Sequence, residues 1–427
     1  MPPIIALIIT LTFILFLLRL ERKQTPSASY VLWIPTFWIL LITSRTLAAW
    51  TGTGGGYEKG SPLDRNVLSA LALIGMFILI KRRFNWTVFF KDNFFLVMAA
   101  AFMLASVIWS EIPFLSFKRW VKDIGVMIIM ACLVASETDP RQALISVFRR
   151  LAYIHMPLSL LLIKYYPHLG VSWGRWTGEL MWGGVTTFKN GLAQTCYFVI
   201  FFYLWTFLRR RQGLDKSVTW YQPYIELFIV LLAFWLFMGP RHTLTYSSTS
   251  FATLIFGSAI LLSLRWLKSI NIIIGASILT VIISFIIIYS AATPFIGKLG
   301  LFDVSSLLGR SETLTGRSDI WEKIIPVAMS KPLLGHGFGY WTEALDILTK
   351  ANSSHNGYLD TILTLGFVGL VLSSLFLISA CRKAQREMTQ DFSWGVYWLC
   401  LVMMAALHDI AEASLDSFSG IYPMLIF

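Results

Sequence analysis

Apolar runs of about twenty residues recur along the chain, separated by short polar stretches, and this alternation predicts its elements. Runs such as IIALIITLTFILFLL (4–18) and INIIIGASILTVIISFIIIYSAA (270–292) reach the roughly 18 to 20 apolar residues that a helix needs to cross hydrocarbon. The same pattern places spans at 3–20, 30–49, 66–80, 93–109, 122–136, 143–163, 190–208, 223–240, 248–267, 270–291, 356–380 and 392–411. That is about twelve helices. No small-residue cleavage site follows the first run and further spans come after it, so it reads as a retained helix. The tail FSGIYPMLIF (418–427) opens another apolar run. The expected fold class is an all-α polytopic membrane protein. We expect one integral membrane domain over 1–427, interrupted by a long loop at 292–355 that contains short amphipathic helices.

Composition supports the membrane reading. Of 427 residues, 56% are hydrophobic and only 14% charged, where a soluble domain is nearer one-quarter charged. Basic residues then set the orientation. Arg19, Arg22 and Lys23, Lys81 to Arg83, Arg209 to Arg211, and Arg382, Lys383 and Arg386 fall on the same side as the spans are counted. Such clusters belong in the cytoplasm, so the loops between them, including 292–355, face outward. The balance of 35 basic and 23 acidic residues gives +12. Attraction to anionic lipid accounts for that excess. No basic stripe or nucleic-acid motif accompanies it, which argues against nucleic acid as a partner. Cys132, Cys196, Cys381 and Cys400 lie in or beside apolar runs without paired spacing, as buried thiols do. No internal repeat of the transporter kind is visible, and GTGGGYEKG (52–60) reads as a short outward turn.

Polar chemistry concentrates in three outward loops. The stretch 164–190 carries Lys164, Arg175, Glu179 and Lys189, and 239–248 adds Arg241 and His242. The long loop holds six basic residues, Arg310 and Arg317 among them, and six acidic ones. With no net charge there, individual side chains must supply any specificity. GRSDIWEKIIPVAM (316–329) has Ile320, Trp321, Ile324 and Ile325 on one helical face. It predicts an amphipathic helix on the outer membrane surface, with Trp321 at headgroup level. Arg317 at its N-terminal end has two readings. It is a seat for phosphate, helped by unpaired N–H groups, or it pairs with Asp319 or a lipid headgroup.

KPLLGHGFGYW (331–341) ends that helix at Pro332 and alternates Gly335, Gly337 and Gly339. No strand precedes it and no Lys-Ser/Thr follows, so nucleotide binding is rejected and the glycines read as tight turns. In SSHNGYLDTILTLGFVGLVL (353–372), His355 stands where the loop re-enters the membrane. It is either an outward-facing general base or an idle member of a helix cap. Asn356 would hold a sugar hydroxyl, and Asp360 would fix the imidazole or cap the helix.

Taken together, GRSETLTGRSDIW, PLLGHGFGYW, SHNGYLDTILTLGFVGL and the earlier WGGVTTFKNGLA resemble the O-antigen ligase and polymerase superfamily. The likeness runs from about 165 to 372 and is strongest to the exopolysaccharide-polymerase branch. It implies a glycosyltransferase whose donor is a polyprenyl (undecaprenyl) pyrophosphate-linked saccharide on the periplasmic face of the bacterial inner membrane. It also implies a glycan acceptor, no metal or other cofactor, and possible work beside chain-length regulator or export proteins. By position, Arg317 matches the family's loop arginine and His355 its histidine. Arg317 would bind the pyrophosphate and His355 the acceptor hydroxyl, while Arg175, Lys189, Arg241, Arg310, Asn356, Asp360 and Trp321 would contact pyrophosphate or sugar. One departure stands out: YSSTS (246–250) has no basic residue where ligases carry another arginine. That tilts the reading toward a polymerase. A ligase acting on lipid A core is the alternative, and a lipid-linked-oligosaccharide transporter or a structural scaffold lies further off.

Overall fold

The computed structural model describes residues 1–52, 61–174, 178–215, 219–240, 247–270, 276–296, 315–351 and 353–413. Helices dominate them. Six are long and apolar enough to cross a membrane, seven if the pair Trp86–Asp92 and Phe94–Trp109, bent by 93°, is one span. That supports a multi-pass membrane protein, while the count of twelve is not confirmed among the described residues. Three more apolar helices, Tyr30–Ile42, Gln222–Met238 and Phe392–His408, are shorter, as is Thr280–Phe295, the apolar stretch of the helix Ala276–Ile296, all at 10–17 residues. The tail at 418–427 and most of the turn at 52–60 lie outside the described residues.

Contacts divide the chain into two compact units: Met1–Gly54, Ser61–Phe84 and Ile128–Leu254 form the first, and the remainder forms the second. The first is built around the helix Pro140–Tyr165, which packs against Pro3–Gln24, Tyr30–Ile42, Lys189–Arg211 and Gln222–Met238. Its start is well marked. Pro140 occupies the first turn, and the Asp139 side chain accepts the Gln142 N–H at 3.0 Å, meeting one of the donors that a helix start leaves open. Arg150 on this helix is buried, with Nε 3.0 Å from Glu21 Oε2. Glu21 also accepts from the Thr25 hydroxyl at 2.6 Å and from Ser146. A charge pair this deep persists because its remaining lone pairs are filled.

The loop before Lys189–Arg211 contains the two strands among the described residues. Val171–Trp173 and Leu180–Trp182 pair antiparallel, Val171 opposite Trp182. The Arg45 guanidinium donates to the carbonyls of Leu169, Gly184 at 3.2 Å and Thr186 at 3.0 Å, pinning both ends of this loop.

The second unit is organised by Gly357–Gln390, which packs on Ala276–Ile296, Thr315–Ser330, Phe94–Ala105 and Phe392–His408. This helix is broken at Gly366, where φ is 66° and ψ −169°. A break in a span frees polar backbone groups that hydrocarbon cannot satisfy. Here each finds a partner in the glycine-rich loop. Phe367 and Val368 donate to the carbonyls of Pro332 and Leu333 at 2.8 and 3.2 Å. The carbonyls of Leu363 and Thr364 accept from His336 and Gly337 at 3.0 and 2.8 Å. Only glycine fits the break, because a Cβ at Gly366 would run into the Leu333 carbonyl. Gly335, Gly337 and Gly339 all take positive φ, as tight turns demand. The loop so folded is a plug in a broken helix.

Candidate functional site

The helix expected at 316–329 is present as Thr315–Ser330, with Arg317 in its first turn. Trp321 corrects the surface-anchor reading. Its ring is buried in a cluster with Ile324, Trp341, Leu345, Leu359 and Leu363, and its Nε1 donates to the Ser354 carbonyl at 2.9 Å. The helix rests its apolar face on protein. Trp321 therefore holds the turn before His355.

That turn is constrained from several sides. The Asp360 carboxylate accepts the Ser354 N–H at 3.1 and 3.3 Å, and the Ser354 hydroxyl donates to the Asn356 carbonyl at 2.9 Å. Within this frame His355 adopts φ 56°. A non-glycine residue in that region is a strained conformer that its surroundings must enforce. Asn356 is fully buried, and its Oδ1 caps the helix by accepting the Leu359 N–H at 2.9 Å. Its Nδ2 donates to the carbonyls of Ser290 and Ile410 at 3.3 and 3.2 Å. With both ends of the amide engaged, the expectation that Asn356 holds a sugar hydroxyl is replaced by a structural role. Asp360, also buried, takes the capping alternative: it braces the backbone at Ser354.

The carboxylate facing His355 is Glu412, which the sequence reading missed. Glu412 lies in the turn after Phe392–His408, and that turn is tied to the histidine segment. Gly357 donates to the Asp409 carbonyl at 2.9 Å, and Asn356 reaches the Ile410 carbonyl. Glu412 Oε2 stands 3.8 Å from His355 Nδ1, and Glu412 Oε1 stands 4.0 Å from Arg317 Nη2. The His355 Nδ1 atom is buried and faces this carboxylate. All three side chains remain partly exposed, at 24% for Arg317, 31% for His355 and 15% for Glu412. Burial lowers the Arg317 guanidinium from its ordinary value, against which Glu412 works. Burial also works to raise the Glu412 carboxyl, but His355, His408 and Arg317 together hold it below the usual carboxylate range. The result is a partly open triad of cation, carboxylate and imidazole at the start of a half-helix. Arg317 can offer N–H donors to an anion, and Glu412 beside Nδ1 favours a proton there, leaving Nε2 to accept one.

A signal for Glu412 existed. It follows the last expected span, and the alternation of basic clusters puts that position on the same outward side as 292–355. Lys189 belongs to the other unit, where it opens the helix Lys189–Arg211 and lines a small cleft with Trp182, Ala193 and Phe237. Arg175, Arg241 and Arg310 lie outside the described residues.

Two comparisons bear on this site. The family model described as O-antigen ligase matches residues 232–373, which include Arg317 and His355. Over 304 residues the chain is 23% identical to the exopolysaccharide production protein ExoQ of Rhizobium meliloti (strain 1021). The match takes in 68% of this chain and 65% of that protein, a little under two thirds of the relative's length.

Proposed function

We propose, on the premise that the chain belongs to the O-antigen ligase/polymerase superfamily, that it polymerises lipid-linked saccharide repeats. It is a multi-pass membrane protein of the ligase/polymerase type. In this reading the donor is a glycan on polyprenyl pyrophosphate, presented at the periplasmic face of the inner membrane. Arg317 binds the pyrophosphate and stabilises the charge it gains on departure. His355 Nε2 takes the proton of the acceptor hydroxyl as its oxygen attacks the anomeric carbon, and the bond from that carbon to the pyrophosphate oxygen breaks. Attack from the opposite face inverts the anomeric configuration. Glu412 steadies the imidazolium so formed. Catalysis of this kind is mainly positioning and charge neutralisation, since the leaving group is already activated.

The observation that carries this reading is the approach of Arg317 and His355 to one carboxylate, Glu412, within 4.0 Å. Polymerase is preferred over ligase on the missing basic residue at 246–250 and on the similarity to an exopolysaccharide production protein. The test is glycan-length analysis in a strain lacking the gene, complemented with Arg317→Ala or His355→Ala. Both variants should accumulate to normal protein level and yield single repeats in place of long chains. Long chains left on the lipid carrier would instead identify a ligase. Repeats trapped on the cytoplasmic side would identify a transporter.

A further inference from the structure

The first unit contains a polar cavity of about 260 Å³, lined by Gln24, Thr25, Ser27, Gln142, Arg149, Asp215 and Gln222. That is far more than one water molecule needs. Two helices begin at it: Gln142 is the third residue of Pro140–Tyr165, and Gln222 is the first of Gln222–Met238. The Gln142 and Gln222 N–H groups are already taken, by Asp139 at 3.0 Å and by the Thr219 carbonyl at 3.3 Å, so the two starts add only partial positive charge. Arg149 is 3% exposed, and its Nε is buried with no hydrogen-bond partner among the described residues. Arg150 and Arg210 each also bury one unfilled donor, but their carboxylates stand closer, Glu21 at 3.0 Å from Arg150 and Glu226 at 2.8 Å from Arg210. Among the described residues, the carboxylate paired with Arg149 is Asp215 at 3.7 Å, and it is 28% exposed. A buried guanidinium with an unfilled donor is costly unless an acceptor reaches it.

We infer that this cavity is an anion site for a phosphate group, held by Arg149 in the positive field of two helix starts, with Asp215 as a competing internal anion. Arg22 and Lys23 immediately precede Gln24, and Arg209 to Arg211 close the helix that leads to Asp215. By the charge rule this is the cytoplasmic end, so the site does not depend on the transfer reaction proposed above. The phosphate comes either from solution or from an inner-leaflet lipid headgroup.

The test uses the full chain in nanodiscs and reads its unfolding temperature, independently of glycan synthesis. In zwitterionic phosphatidylcholine, inorganic phosphate should stabilise the wild type beyond chloride at equal ionic strength. If a lipid supplies the group, replacing part of the bilayer with phosphatidylglycerol should stabilise it instead. Arg149→Gln should abolish whichever response occurs. Asp215→Asn, which removes the competitor, should bind the effective phosphate roughly two- to fivefold more tightly, a gain that misfolding cannot produce. The inference fails if neither phosphate source stabilises the wild type, if Arg149→Gln responds as the wild type does, or if Asp215→Asn binds no better.

Discussion

Glu412 stands between a guanidinium and an imidazole, so a change at this one carboxylate should register at both. Glu412→Gln keeps the shape and removes the charge that favours a proton on His355 Nδ1. Transfer should fall about tenfold or more, while Glu412→Asp should restore part of it, as read from glycan length and from transfer rates on a lipid-linked repeat. The pH dependence has a definite sign. Because the folded carboxyl sits below its ordinary range, its contribution to stability is present above that range and is lost as pH falls through the depressed value. Unfolding temperature measured against pH should lose part of its acid-side decline in Glu412→Gln. Trp321→Phe retains the buried ring but deprives the Ser354 carbonyl of its donor. The cost should be about 1–3 kcal/mol in thermal unfolding, with slower transfer because the turn before His355 is released. Arg317 and His355 were legible as chemistry because cationic and imidazole side chains stand out in an apolar chain. Asn356 and Trp321 were misread, and Asp360 was left between two roles, because polarity in a sequence does not say whether a group is already consumed by hydrogen bonds within the fold.

At the scale of elements, the plugged helix break makes the sharpest demands. Gly366→Ala sets a Cβ against the Leu333 carbonyl at a positive φ. It should remove folded protein from the membrane, seen as loss of the monodisperse peak in detergent chromatography. A carboxylate also tethers the plug. Glu111 accepts from Lys331 Nζ at 2.8 Å, from Tyr340 Oη at 2.9 Å and from His336 Nδ1 at 3.2 Å. The Lys331 and Tyr340 bonds lead in holding its carboxyl down to about 2. The tether is therefore intact above the ordinary carboxylate range and weakens as pH approaches 2. Glu111→Gln should lower the unfolding temperature at neutral pH and narrow the gap to the wild type in acid. Hydropathy could find Gly357–Gln390 as a span. It could not find the break, because Gly366 sits in an unbroken apolar run and its left-handed backbone is set by a loop some thirty residues earlier.

For the whole molecule, the proposed orientation is open to a direct check. The four native cysteines are buried, so an introduced thiol reports against a quiet background. In cells with a permeabilised outer envelope, Ser353→Cys should react with a membrane-impermeant maleimide before lysis, and Gln212→Cys only afterwards. The reverse order would put Arg317 and His355 on the cytoplasmic side and end the proposed reaction. The class of fold was readable from alternating apolar runs. The number of complete crossings was not, because Phe392–His408 and Gln222–Met238 are as apolar as a span yet shorter, and composition does not measure length.

The plug in the broken helix has a practical corollary for engineering. Residues 332–337 and 363–368 are stitched to each other by four backbone bonds, so neither segment is a complete module. A chimera that imports the loop from a relative must import the matching stretch of helix with it, or leave peptide groups stranded in oil.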